Sequence, residues 1–266
     1  MPGWTTDMIK TTDITMAARR PRLDPRPLEK RIGLVILATD HTTEVDFQRM
    51  VASERVGVYV SRIHYANPTT PENLLKMQPA LTTGADLILP GEPLDAIMYS
   101  CTSASVVIGD GQIEEAINAA KPGVPVVTPT AASVRALRAF DARRISILTP
   151  YLAETAAPMA DYYTRLGFEI DRFTCLGFSD DREMARIAPE EIEAFAVEAM
   201  APRSDALFIS CTALRAAQVA GSIERKTGKP VISSNLATAW ACLRLCGDNS
   251  VDPGAASLLA LPYPGH

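Results

Sequence analysis

The sequence contains an internal repeat, and this repeat constrains the fold more than any other feature. LDAIMYSCTSA at 94–104 matches SDALFISCTAL at 204–214, an offset of 110 residues. RIGLVIL and RISILTP are offset by 113 residues, and PVVT and PVIS by 105. Two β-α units can look alike by chance, but identical Ser-Cys-Thr triplets and three matches in the same order favour a duplication. We therefore predict two similar halves.

Short apolar runs alternate with helical patterns in both halves. The predicted strands begin at Arg31, Val56, Asp95, Pro125, Arg144, Phe168, Asp205 and Pro230. The predicted helices lie near 43–53, 71–84, 103–120, 131–140, 152–167, 189–200, 212–227 and 236–246. Apolar strands alternating with helices are typical of a parallel sheet covered on both faces. The predicted fold class is α/β, with two pseudo-symmetric lobes, each a four-stranded parallel sheet with flanking helices, and an active site in the cleft between them.

Four segments follow from this pattern. Residues 1–27 are polar, with three prolines between Pro21 and Pro27, and predict a flexible N-terminal arm. Residues 28–140 form the first predicted lobe, 141–247 the second, and 248–266 a C-terminal tail.

Charge and cysteine content narrow the class of protein. The 266 residues carry a net charge of −5 without a long basic run, which argues against a nucleic-acid or membrane surface. No stretch approaches the ~20 apolar residues that span a bilayer. Five cysteines are an odd number and too few for a disulfide framework. We expect a reduced, cytoplasmic protein.

Two cysteines occupy equivalent positions in the repeat. Cys101 and Cys211 each follow an apolar strand and precede a threonine and a helical pattern. This places both thiols at the carboxyl ends of parallel strands, where α/β sheets bind ligands, and at predicted helix N-termini, which bind anions and lower a thiol pKa. A free cysteine is often only a small buried apolar residue, but the repetition favours function. We interpret Cys175, Cys242 and Cys246 as packing residues.

Motifs for other chemistries are incomplete. GDGQIE at 109–114 lacks the third glycine of a dinucleotide loop, and GSIERKTGK has six residues between its glycines where a phosphate-binding loop has four. No G-x-S-x-G or H-E-x-x-H motif is present, and the six lysines lie in the N-terminal segment or at polar element edges. We expect no cofactor and no metal.

The motifs SCTSAS, ILTPY, DDREMARIAPEEI and SCTALR resemble those of the aspartate/glutamate racemase superfamily. Within it, the chain is most similar to the branch of maleate cis–trans isomerases, arylmalonate decarboxylases and the ectoine-utilisation protein A group, over about residues 31–247. LATDHTTEVDFQRM and FSDDREMARI resemble the ectoine-utilisation group in particular.

The resemblance implies roles for nine residues. It makes Cys101 and Cys211 catalytic. It assigns substrate binding to His41, Thr102, Ser103, Tyr151, Asp181, Thr212 and Ala213. His41 and Asp181 stand where the maleate isomerases of the family have asparagines, so they bear on which substrate is bound. From the residues alone, His41 is equally a loop residue capping a helix, and Asp181 is equally a solvated residue at a helix start or a partner for a substrate ammonium.

The expected function is a cofactor-independent two-cysteine racemase or isomerase acting on a small carboxylic acid. In an isomerase, Cys101 adds to a double bond and Cys211 supplies the proton; in a racemase, one cysteine removes the α-proton and the other returns one. The alternatives are an arylmalonate-type decarboxylase and, from another class, a non-catalytic metabolite-binding protein. The resemblance also implies a homo-oligomer.

Overall fold

The computed structural model describes residues 14–250 and 256–263. These residues form two four-stranded parallel sheets. The strands are Lys30–Leu37 (β1), Val56–Ile63 (β2), Ala96–Ser100 (β3), Val126–Val127 (β4), Arg144–Tyr151 (β5), Glu169–Phe178 (β6), Ala206–Ile209 (β7) and Val231–Ser233 (β8). The strand orders are β2-β1-β3-β4 and β6-β5-β7-β8, so the two sheets share one topology. The predicted α/β class and the two equivalent parallel sheets are confirmed.

Helices cover the two sheets. They are Thr43–Met50 (α1), Pro71–Leu75 (α2), Leu81–Asp86 (α3), Thr102–Ile108 (α4), Asp110–Ala120 (α5), Pro129–Ala139 (α6), Ala153–Arg165 (α7), Asp181–Met184 (α8), Pro189–Ala199 (α9), Ala220–Thr227 (α10) and Ser234–Leu245 (α11). Short 3₁₀ helices lie at Gln78–Ala80, Arg215–Gln218 and Ser257–Ala260. The central strands β1, β3, β5 and β7 are almost wholly buried, as expected for parallel strands between helical layers.

Three predicted helices are interrupted. The pattern at 71–84 forms α2, a 3₁₀ turn and α3, and Pro79 lies within that turn. The pattern at 103–120 divides into α4 and α5 at Gly109, whose φ of +97° favours glycine. The prediction of a helix directly after Cys211 is wrong: the chain makes a turn, then a 3₁₀ helix, and α10 begins only at Ala220.

Helix α11 joins the two halves. Its residues from Ser234 to Arg244 are all buried, and Trp240 is completely enclosed. The helix contacts α6, α1 and β3 as well as β8, and the largest apolar core includes residues from both sheets. The two lobes therefore share one continuous core, and the carboxyl ends of their strands meet around a common cavity. The boundaries at 28–140 and 141–247 stay predictions.

The chain termini lie partly outside the described residues. Residues 1–13 of the predicted arm and residues 251–255 and 264–266 of the predicted tail are among those not described. Residues 14–29 contain no helix or strand, and Arg26 forms an ion pair of 3.5 Å with Asp95. The Trp240 indole N–H donates to the carbonyl of Leu261 at 2.9 Å, so part of the tail packs on α11. No helix in the described part of the chain is long and apolar enough to cross a membrane.

Candidate active site

Cys101 and Cys211 line the same small cavity between the two sheets. Its walls are Leu37, Asp40, Tyr65, Thr69, Cys101, Ser103, Tyr151, Asp181, Met184, Cys211, Thr212 and Ala213. Each thiol residue is only 5% exposed, and neither is in a disulfide. The space inside is about 20 Å³, which holds little more than one water molecule. The duplicated Ser-Cys-Thr motif therefore brings two free thiols to one enclosed site.

Cys101 is the N-cap residue of α4. Its backbone is extended, with φ −162° and ψ 110°, and its sulfur lies 3.6 Å from the hydroxyl oxygen of Ser103. The backbone N–H of Ala104 also reaches the sulfur and favours the thiolate. Burial outweighs these hydrogen bonds and raises the pKa of Cys101 to about 11, with a smaller contribution from nearby carboxylates. The helix N-terminus was predicted correctly here, but its effect on the thiol is smaller than that of burial.

Cys211 has a different backbone from its counterpart. Its φ is +128°, a region that strongly favours glycine. The turn that follows directs the N–H groups of Ala213 and Leu214 at the sulfur, and the Tyr151 hydroxyl also donates to it. Burial nevertheless raises the pKa of Cys211 to about 12. The sequence duplication thus produces two thiols whose surroundings are not equivalent.

The strain at Cys211 predicts an unequal response of the two sites to glycine. Both Cys→Gly changes remove a buried thiol and increase the entropy of the unfolded chain. Only Cys211→Gly also relieves a positive φ, which costs about 1 to 3 kcal/mol in a non-glycine residue. We expect the free energy of unfolding of Cys211→Gly to exceed that of Cys101→Gly by this amount, measured by urea denaturation. Equal losses in the two variants would show that Cys211 carries no strain.

Two carboxylates also face the cavity. Asp181 accepts hydrogen bonds from the Thr39 hydroxyl and from the Asn67 amide nitrogen at 2.8 Å. Burial raises the pKa of Asp181 despite these donors. Among the described residues, no Lys, Arg or His side chain lines the cavity. A charged Asp181 therefore has no cation within the site to offset it.

Asp40 is held by the start of α1. Its carboxylate accepts from the backbone N–H groups of Thr42 and Thr43, both at 2.8 Å, and from the Thr43 hydroxyl at 2.6 Å. The Ser100 hydroxyl, one residue before Cys101, donates to it at 3.1 Å. Asp40 therefore links the end of β1 to the strand that carries the first cysteine.

The structure brings seven of the nine predicted site residues to the cavity. These are Cys101, Cys211, Ser103, Tyr151, Asp181, Thr212 and Ala213. His41 is exposed and lines a separate surface depression, because Asp40 turns inward to cap α1 and its neighbour points outward. Thr102 is buried, and its hydroxyl bonds to that of Ser234 at 2.8 Å instead of lining the cavity. The chemical roles of all nine residues stay predictions.

The sequence reasoning missed several residues that line the cavity. Asp40 stands beside His41, and the local sequence did not indicate which of the two side chains would face the cavity. Tyr65 and Thr69 belong to the segment after β2, at the same carboxyl edge of the sheet as the thiols. The rule that ligands bind at the carboxyl ends of parallel strands applies to β2 as well as to β3, and would have found them.

Residues 64–70 of the first lobe form one wall of the cavity and contact the second lobe. The Tyr65 and Thr69 hydroxyls are 2.6 Å apart. The backbone N–H of Thr69 donates to the carbonyl of Ser179 at 2.8 Å, and the Thr155 hydroxyl donates to the carbonyl of Thr69 at 2.8 Å. These hydrogen bonds connect the first lobe to the second at the edge of the cavity.

No metal site accompanies the thiols in the part of the chain that the structure describes. There, no three His, Cys, Asp or Glu side chains are grouped so as to hold a metal ion. The cavity is lined by two thiols, two carboxylates and the hydroxyl groups of two tyrosines, two threonines and one serine, and backbone N–H groups reach the thiols.

Comparison with known proteins identifies the family. The sequence profile of the arylmalonate decarboxylase family matches residues 89–259. A maleate isomerase of Nocardia farcinica is 30% identical over 244 residues, covering 86% of this chain and 95% of that protein. A maleate isomerase of Pseudomonas putida is 26% identical, covering 88% and 98%.

Solved structures agree with this grouping. A cysteine-to-serine mutant of Nocardia farcinica maleate cis–trans isomerase with a covalently bound succinylcysteine intermediate has a TM-score of 0.78 and 26% identity, covering 87% of this chain and 98% of that one. The maleate isomerase Iso from Pseudomonas putida S16 has the same fold, with a TM-score of 0.77 and 24% identity over 87% of this chain and 98% of that one. The chain therefore belongs to the family of maleate isomerases and arylmalonate decarboxylases, and it is an isomerase.

Proposed function

We propose that this protein is a cofactor-independent cis–trans isomerase of a small unsaturated dicarboxylic acid, with maleate as the first candidate. The observation that carries the proposal is that Cys101 and Cys211 line one enclosed cavity without a disulfide between them. The relatives that cover most of the chain are maleate isomerases, and one of their structures holds a succinylcysteine.

The proposed reaction is a reversible thiol addition. The Cys101 thiolate attacks one carbon of the double bond, the π electrons form a C–H bond at the neighbouring carbon, and the Cys211 thiol supplies that proton. The adduct is a succinyl thioether, in which the former double bond is a single bond that rotates. The Cys211 thiolate then removes a proton, the double bond re-forms in the trans geometry, and the C–S bond breaks to release the Cys101 thiolate.

The surroundings of the two thiols support this division of roles. Burial raises the pKa of Cys101 to about 11 and that of Cys211 to about 12, so both thiols favour the protonated form, and in the proposed mechanism Cys101 is the one that ionises. When Cys211 has given up that proton, the Tyr151 hydroxyl and the N–H groups of Ala213 and Leu214 stabilise the thiolate that remains. Two thiols in one cavity that share a single negative charge can provide one nucleophile and one acid.

The substrate carboxylates are proposed to bind to neutral donors. Ser103 and Thr212 present hydroxyl groups, and a helix N-terminus follows Cys101. Asp181 fits this site when it is protonated, because a neutral carboxyl group donates a hydrogen bond to a carboxylate. Its raised pKa favours that form.

Racemisation of an amino acid is the second candidate, and Asp181 is the observation that favours it. A charged Asp181 would hold a substrate ammonium while the two thiols exchange the α-proton from opposite sides. The matching family profile bears the description arylmalonate decarboxylase, so decarboxylation, the activity of a related branch, is included in the test. Membership of the ectoine-utilisation group stays a prediction.

Proton NMR of the purified protein with a panel of acids tests the proposed function. We expect the maleate signal to be replaced by that of fumarate, with no cofactor added. Phenylmalonate and a racemisable amino acid, assayed in deuterated water, are the comparison substrates. Deuterium at the α-carbon of the amino acid, or loss of carbon dioxide from phenylmalonate, without conversion of maleate would contradict the proposal.

We also propose that the protein works in a reducing compartment such as the cytoplasm, as a homo-oligomer whose partner molecule is a small carboxylate. The support for the compartment is that all five cysteines are free thiols, including two with catalytic roles in the proposed mechanism. The oligomeric state follows only from the resemblance noted in the sequence, and size-exclusion chromatography with light scattering measures it.

A further inference from the structure

The start of α11 holds the backbone of the second cysteine. The N–H of Cys211 donates to the Ser234 hydroxyl at 3.1 Å. The side-chain amide nitrogen of Asn235 donates to the carbonyl of Thr212 at 3.0 Å. Ser234 and Asn235 are both almost completely buried, and neither lines the cavity. They act on the main chain of the turn and not on anything inside the cavity.

A third buried side chain reaches the same turn from the other half of the protein. The Thr42 hydroxyl, at the start of α1, donates to the carbonyl of Ala213 at 2.7 Å. Asn235 is itself tied to α1, because its amide nitrogen also donates to Asp46 at 2.9 Å. Three consecutive residues, from Cys211 to Ala213, are therefore each held by a side chain that is remote in sequence.

These contacts coincide with the strained part of the site. Cys211 has a φ of +128°, whereas Cys101 occupies the equivalent position with an extended backbone. A non-glycine residue keeps such a conformation only where its surroundings impose it. The three hydrogen bonds to residues 211–213 are contacts that can impose it.

We propose that Asn235 and Thr42 are positioning residues, which fix the turn after Cys211 so that the N–H groups of Ala213 and Leu214 point at its sulfur. This inference rests on the proposed role of Cys211 as the proton donor and acceptor. Asn235 and Thr42 touch no substrate; they act through the backbone of the turn.

The hydrogen bonding of Asn235 distinguishes this role from simple stabilisation. Its hydrogen bonds to Asp46 and Thr212 both use the amide nitrogen, and its buried side-chain oxygen has no hydrogen-bond partner among the described residues. Rotating the amide by 180° would place that oxygen against the Thr212 carbonyl, which is also an acceptor. An unpaired buried oxygen costs folding free energy, so Asn235 is a poor choice if stability is its only role. Its orientation instead satisfies two acceptors, Asp46 and the Thr212 carbonyl.

Alkylation of the two thiols measures the effect without a substrate. The full-length protein is treated with iodoacetamide, and the rates at Cys101 and Cys211 are read in the same sample by peptide mass spectrometry. Because both thiols line one cavity, their ratio cancels changes in access that affect the cavity as a whole. We expect Asn235→Ala and Thr42→Val to slow alkylation of Cys211 by about tenfold relative to Cys101, since a lost hydrogen bond to a thiolate raises its pKa.

Conservative and control variants separate positioning from folding. Thr42→Ser keeps the hydroxyl and is expected to retain the ratio of the original protein. Thr238 is an equally buried α11 residue whose hydroxyl bonds only to carbonyls of its own helix, so Thr238→Val is the matched control and leaves the ratio unchanged. An unchanged ratio in both Thr42→Val and Asn235→Ala would overturn the proposal.

Turnover provides the second readout. With a substrate identified by the NMR panel, Thr42→Val and Asn235→Ala are expected to lower kcat about tenfold, because they affect the acid, and KM reports separately any displacement of Thr212 on the same turn. A changed alkylation ratio in a protein that converts no member of the panel would contradict the proposed function while supporting the positioning role.

Discussion

Replacing either cavity cysteine with serine is expected to reduce turnover by about 10²-fold to 10⁴-fold, which is the typical effect of losing a general acid or base. Serine preserves the size of Cys101 or Cys211 but does not ionise near the working pH, so the change removes the thiolate specifically. Because the two thiols act in one reaction, the double variant is expected to be hardly slower than either single one. Steady-state rates of all three variants measure this.

The other cysteines serve as internal controls. Cys242 is buried on α11, Cys246 is buried directly after that helix, and Cys175 lies half-buried in β6; none of the three lines the cavity. Their alanine variants are expected to keep rates within a few-fold, with thermal melts to confirm folding. Near-normal turnover by folded Cys101→Ser or Cys211→Ser would refute the two-thiol mechanism.

The second large effect concerns the charge of Asp181. At a pH below its raised pKa, the Asp181 carboxyl group is neutral and compatible with a bound dicarboxylate. At a pH above it, Asp181 is negatively charged and repels the substrate carboxylates. Two like charges about 5 Å apart, at an effective dielectric constant of about 20, repel by about 3 kcal/mol, or about a hundredfold in affinity. We therefore expect Asp181→Asn to raise kcat/KM for maleate by about tenfold to a hundredfold at high pH.

The pH dependence of kcat/KM shows whether the charge on Asp181 hinders or helps the reaction. The ratio of the Asp181→Asn rate to that of the original protein should be near one at low pH, rise through the raised pKa of Asp181, and then level off. Ionisation of the thiols cancels in this ratio apart from the small rise in the Cys101 pKa that a charged Asp181 causes, and removing that rise also increases the ratio at high pH. Asp180 is the adjacent residue, capping α8 outside the cavity lining, and Asp180→Asn is expected to change the ratio far less, because Asp180 makes only a minor contribution to the raised pKa of Asp181. A loss of activity in Asp181→Asn at every pH would show that the charged carboxylate is required, as amino-acid racemisation would demand.

Much of the fold was predictable because buried parallel strands have a strong sequence signature. All eight strands begin within one residue of their predicted starts, since most of them are short apolar runs bounded by polar residues. The identical strand orders follow from the duplication, which the matching Ser-Cys-Thr motifs revealed. Helix ends were less predictable where a single residue such as Gly109 interrupts an otherwise helical pattern.

The site was predictable as far as local sequence determines it. The position of Cys101 and Cys211 at strand ends follows from the strand pattern, and both line the cavity. The turn after Cys211 was not predictable, because contacts from Thr42 and Asn235, distant in sequence, hold it. The pKa values of the thiols also depend on how deeply the folded chain buries them, and here burial outweighs the local hydrogen bonds.

The sequence also did not predict which of two neighbouring side chains faces the cavity and which faces the surface. Asp40 and His41 are adjacent at the end of β1, and the structure turns Asp40 towards the cavity and His41 towards the surface. The difference arises from four hydrogen bonds to the Asp40 carboxylate, one of them from Ser100 on another strand. That partner is 60 residues away in the chain.

Trapping of the covalent intermediate tests the central claim most directly. Cys211→Ser protein is incubated with maleate, digested and analysed by peptide mass spectrometry. In this variant a solvent proton completes the addition, and the adduct accumulates because no thiolate removes the proton again. The proposed mechanism predicts a mass increase of one maleic acid on the peptide carrying Cys101, and none in Cys101→Ser protein. Conversion of maleate by the original protein with no adduct on Cys101 in the variant, or an adduct on Cys175, Cys242 or Cys246 alone, would contradict it.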